Sequence, residues 1–347
     1  MSEVRAYAPG RVNLIGEHTD YNGGMVLPAA LSVGLKLTLT PRSDDQVIAR
    51  SSVYNPVQRN LSDAASGDWS DPVIGALREA RKLGLISSGA EVSIHSTIPA
   101  GSGLSSSAAL IVAVLKAARE LGRGTQSDVD LALAARRVEN EYMGVPCGIM
   151  DQMAVALATP GQAMALDTKS LKYELIDLPK THDIVVLHSG VTRKLTEGRY
   201  AERKQECDAA KAHFGTDDLC LLDPGEIAQS SLAEIPRKRA MHCATEHRRV
   251  LAAVEALKSG DVPALGKAMN ESHVSMRDDF EMSLPQIDDL VEGAVALGAT
   301  GARLTGGGFG GCIVACVEHD HRMDWQRKLL EKFGDARFID AISPSTG

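Results

Sequence analysis

The 347-residue chain is poor in aromatic side chains, with two tryptophans, six tyrosines and five phenylalanines. A protein that reads single-stranded nucleic acid by stacking bases usually carries more of them. No long basic run exists and the formal net charge is −8, which argues against a phosphate-backbone binder for the chain as a whole. Long apolar segments are also missing: the longest run, Ala108–Leu115, is far too short to span a bilayer. The opening MSEVRAYAPG carries Glu3 and Arg5 and no apolar core, so a secretory leader is not expected. The six cysteines form no CxxC pair. Spread over a chain of this size, they fit buried thiols in a reducing cytoplasm better than disulfides or zinc. Internal repeats and low-complexity tracts are absent too. What remains, 44% hydrophobic and 24% charged residues, is the composition of an ordinary globular protein.

Helix and strand signals alternate, which points to an α/β or α+β class. Leu35, Leu37 and Leu39 alternate with Lys36, Thr38 and Thr40 in a half-buried strand closed by Pro41. Val92, Ile94 and Ile98 mark a second strand ending at Pro99. A Gly/Ser loop, 101–107, leads into an apolar helix over about 108–121, whose unbroken apolar run implies burial on most sides. Ser127 and Asp130 form a weak capping box for a helix ending at Gly144. Turn residues and short strands over 160–179 mark a domain boundary. A strand at 184–187 and helices over about 196–214, 236–258, 261–277 and 285–297 follow. A Gly-rich loop then leads to a strand at 313–317, and a helix and a short strand end the chain.

Four stretches carry chemistry. Pro9–Gly24 (PGRVNLIGEHTDYNGG) sets Arg11, Glu17, His18, Asp20 and Asn22 among four glycines. Alternating donors and acceptors on a glycine-rich backbone suit a polyol, although the composition also suits a polar surface turn. A metal site at Glu17, His18 and Asp20 lacks a second histidine. Pro99–Leu110 (PAGSGLSSSAAL) lies between a strand and a helix, where backbone N–H groups and the helix dipole favour an anion. It is not a Walker A loop, since no lysine follows, and an ordinary helix-capping loop fits it equally well. Gly148–Met153 (GIMDQM) holds Asp151, which takes meaning only from its company. In Thr305–Cys312 (TGGGFGGC), Gly306, Gly308 and Gly311 satisfy GxGxxG by chance. An apolar strand follows where a dinucleotide fold needs a helix, so an NAD-dependent oxidoreductase is rejected. Close backbone packing against a ligand or the phosphate loop accounts for these glycines better than a turn does.

Together these stretches resemble the GHMP small-molecule kinases and, within them, the galactokinase family, over nearly the whole chain. APGRVNLIGEHTDYNGG looks like the galactokinase signature and PAGSGLSSSAAL like the superfamily's phosphate-binding motif. PCGIMDQ resembles the segment with the catalytic aspartate, and LTGGGFGGC the third superfamily motif. YAERKQEC and SMRDDFEMSLP agree as well. The resemblance implies a two-lobed α+β protein with its active site in the cleft. Residues 1–170 would form a lobe like ribosomal protein S5 domain 2, and residues 171–347 a ferredoxin-like lobe, the last strand being free to pack back on the first. The implied activity is transfer of a phosphoryl group from ATP, with Mg2+, to the anomeric hydroxyl of galactose. The products would be galactose 1-phosphate and ADP. The implied setting is a cytoplasmic monomer or weak homodimer, with no nucleic-acid or membrane partner. Alternatives are a kinase for N-acetylgalactosamine or another hexose, and a non-catalytic galactose sensor, the latter disfavoured by an intact GLSSSA and Asp151.

Carried over residue by residue, the resemblance makes Asp151 the carboxylate facing the anomeric hydroxyl and sets Arg11 beside it. Glu17, His18, Asp20, Gly148 and Tyr200 would contact the other sugar hydroxyls. Gly101, Ser102, Gly103, Leu104, Ser105, Ser106 and Ser107 would cradle the nucleotide phosphates, and Trp69 would line the adenine pocket. Ser107 and Glu139 would hold magnesium.

Overall fold

The structure, a computed structural model, describes residues 3–191 and 198–343. The chain divides into two compact units: unit 1 holds 1–11, 32–100 and 104–157, and unit 2 holds 12–31, 101–103 and 158–347. Two strands run through both memberships, β1 (Val4–Asn13) and β3 (Pro28–Pro41). Both units mix helix and sheet, as the α+β expectation requires.

In unit 1, β3 pairs antiparallel with β6 (Ala90–Ser96), from Leu35↔Ser96 to Pro41↔Ala90. Strand β4 (Gln46–Ser51) lies parallel to β6, and β5 (Val57–Asn60) closes the edge antiparallel to β4. The alternation read from the sequence is the alternation of faces: Leu35, Leu37, Leu39, Val92 and Ile94 are buried, whereas Lys36, Ser93 and His95 are exposed. Helix α1 (Asp71–Lys82) packs on α2 (Ser106–Gly122), which also touches α3 (Asp128–Arg137) and α4 (Met150–Leu157). Surrounded in this way, Ala108–Leu115 is buried throughout, the result its unbroken apolar run predicts. The α3 capping box forms as read: Ser127 Oγ accepts from Asp130 N at 3.1 Å, and Asp130 accepts from Ser127 N at 2.8 Å. The expected continuation of this helix to Gly144 differs, because Val138–Tyr142 winds as a π-helical turn. Gly75 of α1 lets that turn approach: a Cβ there would meet Val138 at 2.5 Å and Tyr142 at 2.6 Å.

In unit 2, β7 (Gln162–Asp167) pairs antiparallel with β2 (Met25–Val26) and β8 (Tyr173–Asp177), the short strands expected around 160–179. A second sheet contains β9 (His182–His188), β10 (Gly301–Thr305), β11 (Cys312–Glu318) and β12 (Arg337–Ile342), all antiparallel, in the order β10-β11-β9-β12. With helices between β9 and β10 and between β11 and β12, this is the expected ferredoxin-like order. The last strand, β12, finds its partner in β9. The helices are α5 (Arg199–Phe214), α6 (Pro224–Gln229), α7 (Glu234–Ser259), α8 (Val262–Asp278), α9 (Pro285–Ala296) and α10 (Arg322–Lys332). The helix read from about 196 is described from Arg199; positions 196 and 197 lie outside the described residues. An apolar core of Val185, Leu187, Phe280, Leu290, Ile313 and Trp325, among others, fills the space between the sheet and these helices.

Candidate active site

Unit 1 brings three of the candidate residues together. Arg11 on β1 donates from Nε to Asp151 Oδ1 at 2.8 Å, and its Nη2 lies 2.5 Å from the same oxygen. The Arg11 side chain is 6% exposed and that of Asp151 31%, so the pair is shielded but its carboxylate remains reachable. Asp151 stands in the first turn of α4, where the helix dipole favours a negative charge. The other oxygen, Oδ2, accepts from Ser105 Oγ at 2.5 Å. Ser105 is the residue before α2, held at φ 62° and ψ 40°. Arg11 N also donates to Leu104 O at 3.3 Å, which ties β1 to the start of α2.

Next along α2, Ser107 has a buried hydroxyl that faces the Glu139 carboxylate. Glu139 lies in the π-helical turn and accepts from Gln152 Nε2. Burial, and then the charge of Asp151, raise its carboxyl above the ordinary value. Cys147 Sγ is 3.8 Å from the same carboxylate, and Asn140 fixes this segment by accepting from Cys147 N at 2.8 Å. Gly148, on the same segment, is buried. No group of three or more His, Cys, Asp or Glu among the described residues could by itself hold a metal ion. A buried hydroxyl beside one carboxylate suits instead an ion that keeps much of its own water, as magnesium does. Trp69 stacks on Tyr54 with ring centroids 5.6 Å apart, and its Nε1 donates to Asn55 O at 3.1 Å. In the loop expected to cradle phosphates, Gly101 and Gly103 take φ of 70° and 76°, which glycine alone adopts without cost.

Unit 2 carries the other candidates. Glu17 is 2% exposed. It accepts from Gly306 N at 2.6 Å and from Asn13 Nδ2, and Thr305 Oγ1 and Arg303 lie 3.3 Å away. His18 sits at φ 61°, with Nδ1 2.6 Å from Tyr21 OH. Its ring lies 4.4 Å from that of Phe280 and 5.3 Å from that of Tyr200. Asp20 is half-buried on the same loop. Helix α7 grips this loop from one side: Gly16 N donates to Glu246 Oε1 at 2.9 Å, His242 Nε2 is 3.1 Å from Glu17 O, and Met25 N donates to His247 Nδ1 at 3.1 Å.

The turn carrying Phe280 is itself fixed by buried arginines. Arg203 donates to Phe280 O at 2.8 Å and to Glu281 O at 3.0 Å, and Arg239 reaches Asp279 O at 2.5 Å. The glycines of 306–311 pack against this turn: Phe309 N donates to Met282 O at 2.8 Å, and a Cβ at Gly308 would meet Met282 O at 2.8 Å. Gly308 thus packs on Met282 and Gly310 on Val191, while Gly306 N meets the Glu17 carboxylate.

Sequence reasoning gave no role to Asn13, His242, Glu246, Phe280 or Arg303. His242 and Glu246 stand four apart on an amphipathic pattern, a spacing that would have placed both on one helix face. Arg303 had no such signal, because it lies in an otherwise apolar strand.

A galactokinase galactose-binding signature matches residues 2–39, a GHMP kinases N terminal domain matches 71–159, and a GHMP kinases C terminal domain matches 253–335. A galactokinase of Haemophilus influenzae (strain ATCC 51907 / DSM 11121 / KW20 / Rd) is 39% identical over 349 residues, covering 95% of this chain and 89% of the relative. The crystal structure of Lactococcus lactis galactokinase complexed with galactose matches with a TM-score of 0.93 at 33% identity, over 99% of this chain and 95% of that one. Methanococcus jannaschii mevalonate kinase shares the fold, with a TM-score of 0.74 at 20% identity over 99% of both chains.

Proposed function

The chain belongs to the galactokinase family of the GHMP kinases and has that family's activity, phosphorylation of galactose with ATP; from this premise we propose how its residues divide the work. Asp151 and Arg11 are the catalytic pair. Phosphoryl transfer through a loose transition state needs an aligned nucleophile and neutralised charge more than covalent help. Asp151 orients the anomeric hydroxyl and takes its proton late, as the new P–O bond forms. Arg11 keeps the carboxylate in place and offsets charge developing on the transferred group.

The loop Gly101–Ser107 and the positive end of α2 receive the nucleotide phosphates, and Trp69 receives the adenine. Ser107 and Glu139 are the residues that would hold Mg2+, which when bound neutralises phosphate charge. Gly148, Glu17, His18, Asp20 and Tyr200 contact the remaining sugar hydroxyls. The donors around Glu17 hold it in one orientation before sugar arrives, which limits the ordering cost of binding. A cytoplasmic location agrees with six cysteines that are all free thiols. Among the described residues no helix is long and apolar enough to cross a membrane.

The observation that carries this reading is the convergence of Arg11 and Ser105 on a partly exposed Asp151. ADP release from Mg-ATP, measured with a panel of sugars, tests it. Turnover with galactose should fall by roughly 10²–10⁴ in Asp151→Asn. Turnover with N-acetylgalactosamine alone would replace the substrate and keep the mechanism. Galactose binding by calorimetry without turnover of any sugar would make the protein a sensor.

A further inference from the structure

Ser105 occupies the N-cap of α2, and a serine there normally turns its hydroxyl onto a backbone N–H one turn ahead. Ser105 makes no such bond. Its backbone is left-handed, at φ 62° and ψ 40°, a conformation that is unfavourable for any residue with a Cβ and comfortable for glycine. A glycine would relieve the strain, and an extended serine would recover the cap. The chain takes neither course, and the hydroxyl reaches Asp151 Oδ2 at 2.5 Å, 46 residues away.

The geometry of Arg11 shows what that bond adds. A guanidinium usually holds a carboxylate by two parallel bonds, one to each oxygen. Here Nε and Nη2 both fall on Oδ1, at 2.8 and 2.5 Å. Arg11 therefore fixes one oxygen and leaves the carboxylate plane free to turn about its bond to Cβ. The Ser105 hydroxyl holds the second oxygen, and the two contacts together define the plane.

From this we infer that Ser105 is a positioning residue: its hydroxyl sets the orientation of the Asp151 carboxylate toward the sugar hydroxyl, a role separate from cradling phosphate. The inference rests on the assignment of Asp151 to catalysis.

Ser105→Gly and Ser105→Ala test it, because glycine removes both hydroxyl and strain whereas alanine removes the hydroxyl alone. The expected result is a kcat for galactose lower by roughly ten- to a hundredfold in both variants, as for a misaligned catalytic group, with KM for ATP unchanged. The denaturation midpoint of Ser105→Gly should equal or exceed that of the parent, so the loss cannot be unfolding. Adding either change to Asp151→Asn should cost nothing further, since residues acting as a unit are not additive. A raised KM for ATP with kcat retained would overturn the inference in favour of simple phosphate binding. Impaired Ser105→Ala beside fully active Ser105→Gly would overturn it in favour of a backbone effect. Full activity in both, with Asp151→Asn inactive, would defeat this inference alone. Full activity in Asp151→Asn would defeat the underlying assignment.

Discussion

Each unit sets a shielded arginine against a carboxylate, and the two units leave those carboxylates in opposite states. In unit 1 Asp151 has one guanidinium, one hydroxyl and an exposed flank. In unit 2 Arg303 lies 3.3 Å from Glu17 and 3.8 Å from Glu246, and all three side chains are buried. Glu246 also accepts from Gly16 N, from Ser272 Oγ at 2.6 Å and from Arg249 Nε at 2.8 Å. Burial alone would raise the Glu246 carboxyl, but Arg249, His242 and Arg303 hold it down at about 2. Glu246, enclosed by so many donors, keeps a loop in place; Asp151, with a free flank, can meet a substrate. The difference separates a residue that shapes the site from one that acts in it.

The largest stability effect should come from opening the unit 2 cluster. Arg303→Met leaves Glu17 and Glu246 buried without their shared cation, and we expect a loss of about 3–5 kcal/mol in urea unfolding. A loss below 1 kcal/mol would mean that the enclosed carboxylates are not held by Arg303.

Acid should act on the same unit next. Burial depresses His242 to about 4, and burial with Arg303 and Arg277 depresses His273 to about 4. Between the ordinary value of 6.5 and about 4 the unfolded chain therefore binds more protons than the folded one. Stability is complete above about pH 6.5, falls as the pH drops toward 4, and falls again as Glu246 protonates on the way to about 2. Unfolding free energies measured from pH 7.5 to 4.5 should slope downward, and the slope should flatten in His242→Gln and His273→Gln. A slope unchanged by both substitutions would remove these histidines as its cause.

The smallest effect belongs to the surface. Lys169 pairs with Asp218 at 2.5 Å, but its side chain is 62% exposed, so Lys169→Ala should leave the unfolding midpoint essentially unchanged. A larger change would show that charge pairs count here regardless of burial.

Local pattern made part of this architecture legible. The alternation of β3, the apolar run of α2 and the Ser127 box of α3 each depend on neighbours within a few residues, and each formed as read. Strand β1 escaped notice because its last residues, from Gly10 to Asn13, are buried on both faces and show no period of two. Helix α1 was hidden by Pro72 and Gly75, which look like breakers until Pro72 proves to lie in the first turn and Gly75 to face the π-helical turn. The resemblance named Arg11, Ser105, Glu139 and Asp151 and set Arg11 beside Asp151, yet gave no contact between Ser105 and Asp151. Bonds such as Gly16 to Glu246 join residues 230 apart, and no local periodicity encodes them.

Turnover and the unfolding midpoint of Asp151→Asn, measured on one preparation, test the division most directly. The account predicts that galactose-dependent ADP release is lost while the midpoint stays near that of the parent, because Asp151 acts on substrate and supports little of the fold. Retained turnover, or a loss explained entirely by a lowered midpoint, would contradict it.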